Sequence, residues 1–540
     1  MIWRLLGLLA GLSILVGCES SVPPVQFDSN QVLHLAVPND VRTLDPAKIH
    51  QPTVELSLAR NVFGGLYRFR DDLVEEPDLA RSMPDISTDG LAWTFRLRTD
   101  ARFSNGDTVK AADVLYSWNR VARLNANDYP SATIFENVRG YTDVQSGHAQ
   151  TLSGLRKADD YTIVATLTEP AGYWLVELGL WATAVIDQNV VAGKGEDTWW
   201  TTPEGLVGTG PFRMSGRVKG TSLDFEPVAD WWGGSTGRLK HTHVDVISDQ
   251  AIAESRYRAG EFDIIGYAPN DDFRQVSDET LRSYRTNSHL TGELHLRPWL
   301  ETGHLRIRAE GKLDTDADVQ VRRALSLALD RGRLANICFG GALCEPATGG
   351  LITKGLGGYL GDGADLNAKH DVSAAQALLR AWDPAGTKRT VRVGTYTDFV
   401  ALAREIQAEW QSVLGLTVQV DFGESATIRQ KALQGQYDVT IGAFAADYDS
   451  PHNWFANIDT QCHVAVVDPQ FHSLVAAGDK KRPVEALGDY KKAGQLLADD
   501  AACPALVYQQ AAQLIKPWVR GAGGNVLYEN YWTSISILKH

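Results

Sequence analysis

The chain has 540 residues, 44% hydrophobic and 22% charged, with a formal net charge of −14 at pH 7. That length exceeds what one small core can organise and points to two or three domains. The acidic balance, with no run of lysine or arginine, argues against a nucleic-acid partner. Fifteen tryptophans and seventeen tyrosines are available to fill cores and to line ligand pockets.

At the start of the chain, Arg4 precedes the apolar stretch LLGLLAGLSILV, residues 5–16. Twelve residues are too few to span a bilayer comfortably, so the stretch reads as an export signal occupying residues 1–17. LVGC, ending at Cys18, resembles the lipobox of bacterial lipoproteins, which implies that the Cys18 thiol is lipidated and becomes the new N-terminus. The polar, proline-containing segment 18–31 then reads as a flexible tether.

VLHLAV (32–37) is expected to be an opening strand, and TVELSLARNVFGGLYRF (53–69) a helix ending near its glycines. Residues 91–121 read as a strand, a turn at SNGD and a helix, and residues 158–178 as an alternating strand and a helix. Residues 208–234 read as two antiparallel strands, HVDVISD (243–249) as a strand, 250–262 as a helix and 263–267 as a short strand. An extended stretch, 291–300, separates this half from a second one. There, residues 318–339 are expected to form a single amphipathic helix with Val321, Leu325, Ala328 and Leu329 on one face. Strand–helix–strand rhythm over 390–422, repeated at 426–444, implies an α/β domain with parallel strands, and residues 505–519 return to strand-like composition.

Apart from Cys18, four cysteines remain: Cys338, Cys344, Cys462 and Cys503. An exported protein meets an oxidising compartment, so two disulfides are expected, with three possible connectivities. Local closure around FGGAL favours Cys338–Cys344, which leaves Cys462–Cys503. These spacings lack C-x-x-C, so no cysteine metal site is expected. DTDAD (314–318) fails as a calcium loop because Val319 and Leu325 stand where glycine and glutamate are needed. His241 and His243 share one face of a strand, but the sequence offers no third ligand beside them, and they read as an exposed pair. No phosphate loop, nucleophile elbow or H-E-x-x-H occurs, so neither an enzyme nor a cofactor is expected.

TLDPAK (43–48), NVFGGLYRF (61–69), WTFRLRTDARFSNGDTVKAADVLYSW (93–118), GTGPF (208–212), RYRAGEFD (256–263), VRRALSLALDR (321–331) and ADYDSP (446–451) follow one another in order. In that order and spacing the chain resembles the extracytoplasmic solute-binding proteins of peptide ABC importers, the oligopeptide- and dipeptide-binding group of family 5. The final LKH (538–540) resembles the oligopeptide subgroup. The resemblance implies an α/β, bilobed periplasmic-binding-protein-like fold (class II, cluster C) with an inserted subdomain. Lobe I would take 32–60, 190–290 and 510–540, the insert 61–189 and lobe II 291–509. Two strands, near Gly292–Arg297 and Pro504–Tyr508, would form the hinge.

The implied function is capture of a peptide between the lobes and delivery to the ABC permease, by a monomer held to the outside of a bacterial membrane through Cys18. Family relatives also bind oligosaccharides, nickel complexes or haem, and a surface sensor of signalling peptides is the alternative role. Asp447 falls where the family pairs a carboxylate with the peptide's ammonium group. Ala443 and Ala445 would leave room for the peptide beside a strand edge, Phe444 would form an aromatic wall, and Tyr129 would touch the peptide backbone. Asp449 reads as a solvated corner acid. Ile441 replaces a family arginine and His50 a family acid, so the peptide's carboxylate end is expected to be read loosely.

Overall fold

The computed structural model describes residues 25–49, 54–266, 276–307, 319–387, 390–456, 458, 462, 469–525, 527 and 530–540. The export segment, Cys18, His50 and DTDAD lie outside them. β-branched and aliphatic residues at alternate positions build one mixed sheet of eleven strands. In chain order these are β1 (Val32–Val37), β2 (Phe212–Val218), β3 (Ser222–Pro227), β4 (His241–Val246), β5 (Ile264–Ile265), β6 (Leu294–Ile307), β7 (Cys344–Pro346), β8 (Thr390–Tyr396), β9 (Thr417–Gly423), β10 (Val439–Ala445) and β11 (Ala505–Ile515). Their spatial order is β9-β8-β10-β6-β11-β5-β1-β4-β3-β2, with β7 added on β11. The pairs β8–β9 and β8–β10 are parallel, as the strand–helix–strand rhythm implied, and β1–β4 is parallel as well.

The two central strands make the fold bilobed. Leu294–Pro298 of β6 pairs with Gln510–Leu514 of β11, whose end also meets β5, whereas Glu301–Ile307 pairs with β10. Between these halves the β6–β11 register shifts, beginning at Pro298, a residue with no amide proton for the ladder. The strands thus pass from one lobe to the other across an irregularity at which the sheet can bend. One core lies behind β8, β10 and the second half of β6, built from Leu305, Ile307, Val439, Ile441, Ile406 and Trp410. A larger one begins under β1 and runs through the segment inserted between β1 and β2. That segment holds a four-stranded antiparallel sheet, on which Trp93, Phe95, Trp118 and Trp174 pack mostly edge to face with centroids 5.2–6.2 Å apart.

Three expectations change. The single helix over 318–339 is two, Val319–Leu327 and Arg331–Ile337, because the Asp330 carboxylate accepts from the Arg333 amide and starts a new helix. The helix Val54–Val62 ends near the glycines as expected, but Tyr67–Phe69, at the end of the same stretch, is a strand. The tether stops short of residue 31. Phe27 bridges to Leu538 beneath the Arg238 guanidinium, and Gln31 donates to the Ile537 carbonyl at 2.6 Å. Cys338 and Cys344 lie with sulfurs at 2.04 Å, and Cys462 and Cys503 at 2.01 Å, both disulfide distances.

Candidate functional site

β10 ends at Ala445, Ala446 and Asp447 follow, and then Ser450 and Pro451 start the helix Pro451–Phe455. Serine as N-cap accepts from the His452 amide and proline takes the first helical position, a pairing that sets this turn. The turn returns Asn453 to Asp447. The Asp447 amide donates to Asn453 Oδ1 at 2.9 Å, and Asn453 Nδ2 approaches Asp447 Oδ2 at 3.4 Å. The half-buried carboxylate is therefore held by its own loop.

It faces a cavity of about 510 Å³. On the far wall are Ile49, at the end of the TLDPAK loop, then Tyr129, Ile134, Glu136, Glu177 and Trp181 from the inserted segment. Tyr448, His452 and Asn453 complete the near wall. The loop is pinned from behind. Trp181 Nε1 donates to the Ile49 carbonyl at 3.1 Å, and Arg120 grips Asp45 with both terminal nitrogens at 2.8 and 2.5 Å. A second cavity of about 370 Å³ shares Ile49 and Tyr129 with the first. It contains Lys48 and Arg42, whose charges are already engaged by Asp197 and Glu55.

The main cavity is acidic. Glu177 sits on a short apolar helix, Trp174–Glu177, where burial holds its carboxyl well above the usual range despite a hydrogen bond with the Tyr448 hydroxyl. Burial also raises Glu136, which faces His452. Among the described lining residues no lysine or arginine offsets Asp447 and Glu136, and Glu177, its carboxyl held protonated by burial, adds a polar group without a charge. At one side the inserted segment touches the segment after β10. Tyr173 stacks on His452 at 3.5 Å, and the Gly172 amide donates to the Asp479 carbonyl at 2.6 Å. A Cβ at Gly172 would stand 1.6 Å from the Lys481 carbonyl oxygen, so only glycine permits this approach.

Asp447 and Tyr129 thus share one cavity, while Ile441, Ala443, Phe444 and Ala445 do not line it. β8 pairs with β10 only as far as Thr395–Ile441, so beyond it the flank of Ala443 and Ala445 has no strand partner among the described residues. The Ala446 amide points the other way, to the Leu300 carbonyl, and ladder alternation turns the amides of Ala443 and Ala445 toward the open edge. Phe444 packs edge-on against Trp454, with centroids 4.8 Å apart, and is not part of the cavity wall.

Ile441 departs from expectation. Its side chain is 1% exposed, in the core with Val439 and Leu305, so a ligand carboxylate cannot lie beside it. A guanidinium nevertheless reaches this edge from β6, where Arg306 donates to the Ala443 carbonyl at 3.2 Å. Asp449 is no solvated corner acid. It accepts from the Gly357 amide at 2.8 Å, and burial raises its carboxyl to about 6. Asn453, Glu177 and Arg306 were not singled out from sequence. A lone glutamate within the apolar run YWLVEL was the one available signal.

The family model described as bacterial extracellular solute-binding proteins, family 5 (Middle), matches residues 75–464. The periplasmic oligopeptide-binding protein OppA of Escherichia coli (strain K12) is 27% identical over 521 residues, covering 93% of this chain and 92% of its own. The unliganded open form of the periplasmic murein tripeptide-binding protein MppA superposes with a TM-score of 0.81 at 23% identity, over 96% of this chain and 99% of its own. Haemophilus influenzae OppA in complex with RPPGFSPFR gives 0.67 at 21% identity, over 95% of this chain and 100% of its own.

Proposed function

Because the chain belongs to the bacterial extracellular solute-binding proteins of family 5, we propose that it is the peptide-capturing component of an ABC importer. In this reading it is lipid-anchored at Cys18 outside the cytoplasmic membrane, closes on its ligand and delivers it to the permease. The observation that carries the reading is the placement of Asp447, clamped by Asn453, in an acidic cavity next to a strand edge that has no strand partner among the described residues. An extended peptide presents an ammonium group, a repeating backbone and variable side chains. The carboxylate suits the first, the open flank of Ala443 and Ala445 the second, and roomy walls the third. The excess of acids favours ligands whose amino-terminal end carries positive charge. Mass spectrometry of small molecules released when the purified protein is denatured tests this, with peptides bearing a free amino group as the expected result. Recovery only of ligands that lack an amine would overturn it.

Closure is the second consequence. The higher TM-score against an unliganded open form than against a peptide complex supports an open starting arrangement. Two crossing strands with an irregularity at Pro298 permit rigid-body rotation of the lobes. Small-angle scattering should show a smaller radius of gyration once the recovered peptide is added. An unchanged radius at saturation would argue against a hinge.

A further inference from the structure

We propose that Asp224, His241 and His243 form a binding site for a divalent transition-metal ion of the Zn²⁺ type on the partly exposed face of the lobe I sheet. None of the three lines either cavity described above. Alternation along β4 sends His241, His243 and Asp245 to one face, while Thr242 and Val244 are buried on the other. The antiparallel register of β3 and β4 sets Asp224 directly opposite His243, with His241 as its diagonal neighbour.

The outcome is convergence on a point. His241 Nε2 at 2.9 Å and His243 Nδ1 at 2.7 Å approach the same atom, Asp224 Oδ1. Two imidazoles and a carboxylate are the nitrogen and oxygen donors that Zn²⁺ takes, at about 2.0–2.2 Å each, which spaces tetrahedral donors roughly 3.3 Å apart. The three side chains are each about one-third exposed, so small rotations open the cluster by the necessary half ångström or so without disturbing a core.

Two surrounding features serve an ion better than a plain hydrogen-bonded cluster needs. His243 Nε2 faces Asp245 Oδ1 at 3.4 Å, and Arg256 in turn holds Asp245 at 3.2 Å. That is the carboxylate–imidazole arrangement that aims a metal-binding nitrogen and strengthens it as a donor. Above Asp224, the β2–β3 register shifts at Gly216, where a Cβ would lie 3.1 Å from Asp224 Oδ2. Glycine there keeps the carboxylate uncovered. Three protein donors leave a coordination position for water, so the ion would exchange with solvent. The other grouping of this kind among the described residues, His304 with Cys462 and Cys503, has its sulfurs at disulfide distance and offers no thiolate.

The test is a calorimetric titration of chelator-treated, tag-free protein with ZnCl₂. One ion per chain is expected. His241→Ala and His243→Ala should each weaken binding by more than tenfold, and Asp245→Asn by about tenfold with unchanged stoichiometry. His289→Ala, an exposed histidine elsewhere, should change nothing. Circular dichroism establishes that each variant is folded, and Co²⁺ as a second probe should give the visible bands of a tetrahedral site in wild type but not in the double histidine variant. Equal Zn²⁺ affinity in wild type and the double variant, or no measurable binding by wild type, would overturn the proposal in favour of a His–Asp–His cluster that binds no ion.

Discussion

Asp447→Ala is expected to weaken the protein for a peptide with a free amino terminus by about 30-fold or more. The figure follows from truncating one partner of a desolvated charge pair, which costs ~2–5 kcal/mol, with each 1.4 kcal/mol worth about tenfold. Two unit charges ~4 Å apart attract by roughly 4 kcal/mol at an effective dielectric near 20, before desolvation is subtracted. Within the cavity, Glu136 is a further acid facing an ammonium group, Glu177 offers a buried, protonated carboxyl as a hydrogen-bonding group, and no described lysine or arginine on the walls opposes Asp447. Asn453, which clamps the aspartate at backbone and side chain, makes the carboxylate's position part of the effect. The same peptide N-acetylated should bind wild type and Asp447→Ala about equally weakly. Asp449→Ala serves as the control, because that side chain engages Gly357 and does not line the cavity. Calorimetry giving wild type equal affinity for the free and acetylated peptides would rule the role out.

Arg120→Met should destabilise the protein by about 3–5 kcal/mol, the usual cost of stranding one member of a buried ion pair. Arg120 is 4% exposed and Asp45 fully buried, and their contact is bidentate. Asp45 also caps the short helix Pro46–Lys48 by accepting from the Ala47 amide at 3.2 Å. Losing the guanidinium leaves a carboxylate in the core beneath the loop that ends at Ile49, so the cavity wall loosens as the fold weakens. Adding Asp45→Asn should recover part of the stability, because the stranded charge is removed while the amide oxygen still accepts from Ala47. Urea unfolding followed by fluorescence is the measurement. A loss below about 1 kcal/mol would mean the pair contributes no more than a surface contact.

By itself the sequence determined what depends on periodicity and ordered motifs. Alternation predicted the strands at 32–37, 390–396, 416–422 and 437–444, and the strand–helix rhythm implied parallel pairing among the last three. Motif order led to the family and to the bilobed α/β fold. What needed the tertiary structure were facts about faces and partners. Ile441 was matched to an arginine by position in a motif, yet alternation within β10 turns it into the core, and the guanidinium at that edge comes from Arg306 on a strand more than a hundred residues earlier. Asn453 is six residues from Asp447, but only the turn at Ser450 and Pro451 brings it back. Glu177 reaches the cavity from the inserted segment, and Asp224 reaches the two histidines only through the β3–β4 register. Local pattern reports which residues alternate or repeat, because that is set by bond geometry within a few residues. Which side chains then meet depends on register and chain crossing, set by packing of the whole molecule.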